Sequence, residues 1–177
     1  NWLHVRDESW VDRVEGWVRD TGCDAWIVER ERTDPAAYVD MWLSDSAERD
    51  DAHHHERLTQ WLDHFDALNV DAIGFGWILL HRSDSDPVIH VEDARSAPRQ
   101  PDGSEVAAAM DRIVASQRMS AAETLTTAWQ VSPRAIVQTR NALTTGAPLG
   151  DGLTAVELDS DWREPIAISA TLLEVLR

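Results

Sequence analysis

The sequence predicts an α/β fold in residues 1–95, ending in an antiparallel hairpin, and a mainly helical domain in residues 104–177. Two segments, CDAWIVERE (23–31) and VDAIGFGWILLHR (70–82), are apolar and rich in β-branched residues, which is typical of buried strands. The residues between these segments carry helical patterns. Residues 96–103, SAPRQPDG, hold two Pro and one Gly that disfavour regular structure, so they predict a linker between the domains.

The elements before residue 70 follow from local patterns. Residues 7–20 place apolar side chains at helical spacing and end at Thr21-Gly22, which predicts a helix and its stop. The strand at 23–31 ends in the charged run 29–32, where we expect it to leave the core. Asp34-Pro35 predicts a helix start, because Asp caps and Pro is tolerated at the first helical position. A longer helix follows, with the apolar residues Leu58, Trp61, Leu62, Phe65 and Leu68.

The strand predicted at 70–82 contains Gly74 and Gly76, which indicate a bulge or a close approach by another backbone. Residues 83–87 predict a polar turn, and residues 88–91 alternate as a short strand does. An antiparallel hairpin of these two strands is the simplest arrangement.

The second domain is predicted from weaker signals. Capping patterns and apolar spacing predict helices at 104–116, from Ser120 to Trp129, and from Ser132-Pro133 through Ile136, Val137 and Leu143. Short strands at 153–158 and 165–168 and a helix at 170–177 follow. Because the chain begins without Met and its last helix stops after two turns, we expect a fragment of a longer protein with a truncated second domain.

Composition bears on several classes of function. The chain has 32 acidic residues against 16 basic ones, all of them Arg, and its net charge of −16 would repel a phosphate backbone. We therefore expect no direct nucleic-acid binding by this segment. No apolar run approaches the roughly 20 residues that span a bilayer, so we expect no membrane insertion. The single cysteine, Cys23, excludes an internal disulfide and fits a reducing cytoplasm.

Local motifs of known chemistry are missing from the sequence: it has no dinucleotide fingerprint, phosphate loop, nucleophile elbow or zinc-protease motif. His53, His54 and His55 would point about 100° apart on a helix. Asp50 with His54, and Asp51 with His55, would each offer two metal ligands without a third, so a solvated acidic turn is the favoured interpretation. The scattered residues His64, His81 and His90 are expected at the surface, and Cys23 as an inert thiol.

Two features remain as candidates for binding. Asn1-Trp2-Leu3-His4 would lie at a site if it leaves the carboxyl end of a parallel strand, where ligands of open α/β sheets gather. An ordinary strand-to-helix connection is the favoured alternative. Most of the nine Trp fall at predicted core positions, which favours buried rings over a platform that stacks bases or sugars. We assign no catalytic, cofactor-binding or metal-binding residue.

With this order of elements, residues 1–95 resemble the C-terminal part of the catalytic domain of class I S-adenosylmethionine-dependent methyltransferases. The likeness is closest to large actinobacterial methyltransferase-like proteins related to the small-domain group, which includes ribosomal RNA guanine and release-factor glutamine methyltransferases. Residues 104–177 resemble the start of the accessory C-terminal region of these proteins, with winged-helix character but no specific motif. The residues that carry the main resemblance are NWLHV (1–5), GCDAWIVERE (22–31), DPAAYVDMWL (34–43) and VDAIGFGWILLHR (70–82).

The resemblance implies a Rossmann-like sheet whose sixth strand and antiparallel seventh strand are 23–31 and 70–82, with Asn1-Trp2 at the exit of the fifth. The family's glycine-rich cofactor loop, ribose-binding acid and Asn-Pro-Pro-aromatic motif would all precede Asn1, so no functional residue transfers to this chain. The chain would then complete the catalytic sheet and the acceptor side of a cytoplasmic methyltransferase, together with the N-terminal part of the same protein. It would neither bind S-adenosylmethionine nor react alone.

Two alternatives stay open at this point. The first is a non-enzymatic interaction module in which the strand at 23–31 is an exposed edge that pairs with a partner. The second is a small metal-binding protein that uses Asp50, Asp51 and the histidines at 53–55.

Overall fold

The computed structural model of the chain describes residues 1–45, 51–97, 99–140, 153–158 and 166–175. It divides the chain into two compact units, Asn1–Arg95 and Ser96–Arg177, each described here by itself. Among the described residues, no helix combines the length and the apolar character needed to cross a membrane.

The first unit is a mixed four-stranded sheet with helices. Its strands are β1 (Trp2–Val5), β2 (Cys23–Thr33), β3 (Val70–Arg82) and β4 (Ile89–Asp93), and its helices are α1 (Trp10–Val18), α2 (Pro35–Asp45) and α3 (Asp51–Ala67). The strand order is β1-β3-β2-β4. Strand β3 is antiparallel to both of its neighbours, so β1 and β2 run in the same direction, and β4 is parallel to β2.

The predicted hairpin of the strands at 70–82 and 88–91 is wrong. Strand β3 pairs with β1 over Val70–Gly74 and with β2 as far as Arg82, which lies opposite Cys23. The chain then crosses the start of β2, where the Val88 carbonyl accepts a hydrogen bond of 2.7 Å from Ala25 N. Strand β4 therefore adds to the far edge of β2. Since β2 is an interior strand, residues 23–31 are not the exposed edge that the interaction-module alternative assumed.

Strand β2 is also longer than predicted. It continues to Thr33, and Glu29, expected where the strand leaves the core, is fully buried. The pairing with β3 shifts register between Glu29 and Glu31. Opposite this shift lies Gly76, where a Cβ would be 1.8 Å from the Val28 carbonyl oxygen. The close backbone approach predicted from the glycine is confirmed.

The ends of the first helices follow the predicted local chemistry. Ser9 caps α1 by accepting a hydrogen bond from Asp12 N, and Gly22 ends the following turn with φ 69°, a left-handed value that suits glycine. The Asp34 carboxylate caps α2 by accepting from Ala36 N at 2.9 Å and Ala37 N at 3.0 Å. These caps satisfy backbone donors that a helix leaves unpaired at its start.

Two apolar clusters cover the sheet on its opposite faces. Side chains of α1 pack on one face in a cluster of Trp2, Val14, Val18, Ala25 and Ile27. Side chains of α2 and α3 pack on the other face in a cluster of Val39, Leu43, Phe65, Val70 and Ile73. Since the side chains of successive strand residues point to opposite faces, β1 contributes Trp2 to the first cluster and Leu3 to the edge of the second. The first unit is therefore an α/β structure with both sheet faces covered.

The second unit contains more β-structure than expected. Its elements are α4 (Gly103–Arg118), α5 (Ala121–Thr126), β5 (Ala135–Arg140), β6 (Leu153–Leu158), β7 (Ile166–Ala167) and α6 (Ala170–Val175). The three strands form an antiparallel sheet in the order β5-β6-β7. The strand predicted at 153–158 is confirmed, and β7 lies within the one predicted at 165–168.

One helix prediction in this unit is wrong, and the helix predicted from Ser120 is present but shorter than predicted. The helix from Ser132-Pro133 through Ile136 and Val137 is instead strand β5, whose six residues all pair with β6. Its β-branched residues favour a strand. The strand with which it pairs, β6, is separate from it in the sequence, so the local pattern does not show the pairing. Leu143, the last residue of that prediction, lies outside the described residues. The helix from Ser120 ends at Thr126 and does not reach Trp129.

The capping boxes of α4 and α5 predict a pH-dependent stability. Hydrogen bonds from Ser104, Arg99 and Ser120 lower the pKa of Asp102, Glu105 and Glu123, respectively, from ordinary values of 3.8, 4.5 and 4.5. Carboxylates with a lowered folded-state pKa stabilise fully above their unfolded-state pKa, and this contribution is lost as pH falls through the folded-state value. We therefore expect the melting temperature, measured by circular dichroism at the helix signal, to fall below about pH 4.5.

A matched variant isolates these carboxylates from the others. Asn caps a helix without titrating, so Asp102→Asn, combined with Glu105→Gln and Glu123→Gln, should weaken the pH dependence of the melting temperature. An unchanged pH dependence in the triple variant would contradict the prediction.

Candidate functional site

The most constrained polar group in the first unit is the Glu29 carboxylate, which is 0% exposed. Its Oε2 accepts a hydrogen bond from Trp2 Nε1 at 2.8 Å and lies 2.6 Å from His4 Nε2. Its Oε1 accepts from Arg32 Nε at 2.9 Å and Nη2 at 2.5 Å, and Arg95 Nε lies 3.5 Å away. We call these five residues the Glu29 cluster.

The strands bring the Glu29 cluster together around a glycine. Trp2 and His4 alternate along β1 and so share a face, and Gly74 of β3 pairs with both Trp2 and Arg32. A Cβ at Gly74 would lie 2.4 Å from Glu29 Oε2, 2.4 Å from Trp2 Nε1 and 2.9 Å from His4 Nε2. Only glycine leaves room for these hydrogen bonds.

Helix α1 covers the cluster with an aromatic ring. The Trp10 ring stacks parallel to that of Trp2, with centroids 5.9 Å apart, and its centroid is 5.4 Å from that of His4. This packing contributes to the exclusion of water, so Trp2 and His4 are only 4% and 8% exposed.

The residues that follow β4, Ala94 and Arg95, contact Glu29 as well. Ala94 N donates to the Glu29 carbonyl at 2.9 Å, which places Arg95 beside the carboxylate. Arg95 Nη2 also donates to Asp93 at 2.7 Å. This hydrogen bond lowers the pKa of Asp93 and raises that of Arg95, so both groups stay charged at neutral pH.

The chemistry open to the Glu29 cluster follows from its hydrogen bonds. A carboxylate has about four acceptor positions, and here Trp2, His4 and two nitrogens of Arg32 occupy them, with Arg95 close by. A carboxylate saturated in this way has no free lone pair for a metal or for a substrate proton. The arrangement therefore fixes β1, β2 and the residues after β4 in place.

Only two residues of the segment that the sequence offered as a binding candidate belong to the Glu29 cluster. Of Asn1-Trp2-Leu3-His4, Trp2 and His4 are members, whereas Asn1 is exposed and donates from Nδ2 to the Tyr38 hydroxyl at 3.0 Å. Sequence reasoning missed Glu29, Arg32 and Arg95. The available signal was the spacing of Glu29, two residues after Ile27 and therefore on the same buried strand face.

The candidate metal ligands do not assemble in the part of the chain that the structure describes. His54 Nε2 lies 3.1 Å from Asp40 Oδ1 rather than joining its neighbours. Asp50 and the side chain of Asp51 lie outside the described residues. In those that are described, no group of three or more His, Cys, Asp or Glu residues is placed to hold a metal ion.

The remaining candidates are dispersed. His81 Nδ1 is 3.9 Å from Asp24 Oδ2, and His90 Nε2 is 3.8 Å from Glu92 Oε2. The Cys23 thiol is partly buried and lies 3.7 Å from the Thr21 carbonyl oxygen. His64 packs near Trp61 on α3. None of these contacts joins the Glu29 cluster.

Several Trp residues that were expected in the core lie at the surface. Trp17, Trp42, Trp61 and Trp129 are each about half exposed or more. On α2 and α3, rings contact each other in the series Trp42, Tyr38, Phe65, Trp61. An open depression of about 270 Å³ beside this series is lined by Gln60, Trp61 and His64. Its few polar groups do not specify a ligand.

Comparison of the chain with protein-family models, with curated proteins and with solved structures gave no match.

Proposed function

We propose that residues 1–95 are the C-terminal strands and helices of the catalytic domain of a class I S-adenosylmethionine-dependent methyltransferase, as the sequence resemblance implies. The observation that carries the proposal is the relative direction of strands β1, β2 and β3. Strands β1 and β2 run in the same direction, with α1 between them in sequence, and β3 is antiparallel to both. A sixth strand followed by an antiparallel seventh is the ending that the family's catalytic sheet has.

The covering of the sheet supports the same proposal. Helix α1 packs on one face and helices α2 and α3 on the other. Both faces of a parallel or mixed sheet are covered in this way in doubly-wound α/β domains. The alternation of strand and helix from β1 to β3 is also what that architecture requires.

In this proposal the Glu29 cluster has a positioning role. It fastens the start of β1 to β2 and to Arg95, so the carboxyl ends of β1 and β2 are held in a fixed relation. Ligands of open α/β sheets bind beyond such ends, and a methyltransferase depends on alignment of donor and acceptor. The chain would shape the acceptor side, and the cofactor would be held by the preceding part of the protein in the cytoplasm.

The proposal predicts that residues 1–177 alone do not bind S-adenosylmethionine, because the family's cofactor-binding motifs precede the segment that it resembles. Isothermal titration calorimetry with the purified chain should show only the heat of dilution. S-adenosylhomocysteine, the product of methyl transfer, should behave in the same way. Micromolar, one-to-one binding of either compound to this chain would refute the placement.

A further inference from the structure

Helices α2 and α3 expose large apolar side chains to solvent. Met41 and Trp42 on α2 are 49% and 53% exposed, and Trp61 on α3 and Leu68 directly after it are 48% and 45% exposed. The Leu68 amide donates to the His64 carbonyl as in a helix, so Leu68 lies two turns from Trp61 on the same side. We call Met41, Trp42, Trp61 and Leu68 the α2–α3 surface. Exposed apolar surfaces of this kind mark sites of interaction.

Packed neighbours hold the two Trp rings of this surface in place. Trp42 contacts Tyr38 with ring centroids 6.3 Å apart, Tyr38 contacts Phe65 at 6.2 Å, and Phe65 contacts Trp61 at 5.7 Å. Phe65 is buried and Tyr38 is partly buried, so each exposed ring rests on an ordered side chain. An open depression of about 270 Å³ lies beside Trp61. Aromatic residues positioned beside a depression are where binding energy concentrates in protein interfaces.

The charge of the two helices indicates the chemistry of the partner. Helices α2 and α3 contain six Asp and Glu residues against one Arg, and the whole chain has a net charge of −16. Asp45 and Asp63 are exposed, and Asp45 follows Trp42 by three residues and so lies next to it on α2. Negative charge around an apolar surface attracts a positive partner and repels a negative one. A second copy of the chain and an anionic lipid surface are both opposed by this repulsion.

We propose that the α2–α3 surface binds a basic amphipathic helix of a partner protein. The apolar side chains of that helix pack against Trp42 and Trp61, and one of them enters the depression beside Trp61. Its flanking Lys and Arg side chains face the carboxylates of α2 and α3. An amphipathic helix presents such apolar anchors at the positions i, i+3, i+4 and i+7. The α2–α3 surface contains no member of the Glu29 cluster, so the proposal is independent of the proposed function.

Two designed peptides test the proposal on residues 1–177. Each has about 18 residues, or five helical turns, with Leu at the positions i, i+3, i+4 and i+7. All other positions hold Lys in one peptide and Glu in the other. Fluorescence anisotropy of the labelled peptides should show one-to-one binding of the Leu/Lys peptide with micromolar affinity and no binding of the Leu/Glu peptide. Equal binding of both peptides, or binding of neither, would overturn the proposal.

Trp variants test where the Leu/Lys peptide binds. Trp42→Ser and Trp61→Ser should each weaken binding by about tenfold, the loss expected for an aromatic anchor, and circular dichroism checks that each variant is folded. The matched control is Trp17→Ser. Trp17 is 50% exposed, but it lies on α1, which packs on the opposite face of the sheet, so the affinity should change by less than about twofold. An equal loss in all three variants would contradict the proposed location.

A charge variant keeps every apolar side chain of the surface. Asp45→Lys combined with Asp63→Lys replaces two negative charges with two positive ones, and should weaken binding of the Leu/Lys peptide by about fivefold at low salt. An unchanged affinity would rule out charge complementarity as the basis of partner choice.

Sedimentation separates a partner helix from a second copy of the chain. Residues 1–177 should be monomeric at the concentrations used for peptide binding. A dimer that dissociates in Trp61→Ser would overturn the proposal in favour of self-association through the same surface.

Discussion

Replacing Glu29 with Ala is expected to lower the free energy of unfolding of the first unit by about 3 kcal/mol. The side chain is fully buried, and its removal leaves the buried donors Trp2 Nε1 and His4 Nε2 without their acceptor, in addition to a cavity. The loss lies at the lower end of the range for breaking a buried ion pair, because Arg32 and Arg95 reach solvent and can be hydrated. Unfolding in guanidinium chloride, monitored by Trp fluorescence, measures this loss of stability.

Two variants define what the Glu29 result means. Glu31→Ala removes an exposed carboxylate from the same strand and should change stability by less than about 0.5 kcal/mol. Glu29→Gln keeps the size of the side chain but weakens the charged hydrogen bonds, and its loss should lie between those of the two Ala variants. If Glu29→Ala unfolds at the same denaturant concentration as Glu31→Ala, the Glu29 cluster does not hold the strands together.

The second large effect is expected at Gly74. An added Cβ would displace Glu29 Oε2 and Trp2 Nε1, each only 2.4 Å from its position, and these atoms are buried and hydrogen-bonded to each other. Gly74→Ala should therefore destabilise the first unit by about 1–3 kcal/mol, the usual cost of overpacking a core. The same unfolding measurement applies.

The matched control is Gly16→Ala in α1. A Cβ at Gly16 meets no atom within 4 Å, and Ala in place of Gly in a helix interior stabilises by roughly 0.5–1 kcal/mol. The two substitutions add the same methyl group, so opposite signs are expected from their surroundings alone. Stabilisation by Gly74→Ala would show that the glycine is not required for the close approach.

The sequence was a good guide to local structure in the first unit. The strand segments at 23–31 and 70–82, the cap at Asp34 and the stop at Gly22 each depend on residues within one turn or one strand, so they were predictable. Strand pairing was harder to predict. Strand β4 pairs with β2, more than sixty residues earlier in the chain, and not with β3, which precedes it directly.

The Glu29 cluster was harder to predict from the sequence than the strand pairing. The charged run that begins at Glu29 is typical of a strand end, and its burial depends on Trp2, Gly74 and Arg95, which are brought together only by the fold. The same limit explains β5, where Ile136 and Val137 fit a helix pattern locally but pair with β6. Non-local partners decided each of these outcomes.

The proposed function is that this chain completes the sheet of a methyltransferase whose cofactor site lies outside residues 1–177. Titration of S-adenosylmethionine, by isothermal calorimetry, into the longer polypeptide that this proposal requires tests it most directly. We expect one-to-one binding with micromolar affinity, in contrast to the absence of binding by residues 1–177. A longer polypeptide that is folded and binds no S-adenosylmethionine would contradict the claim.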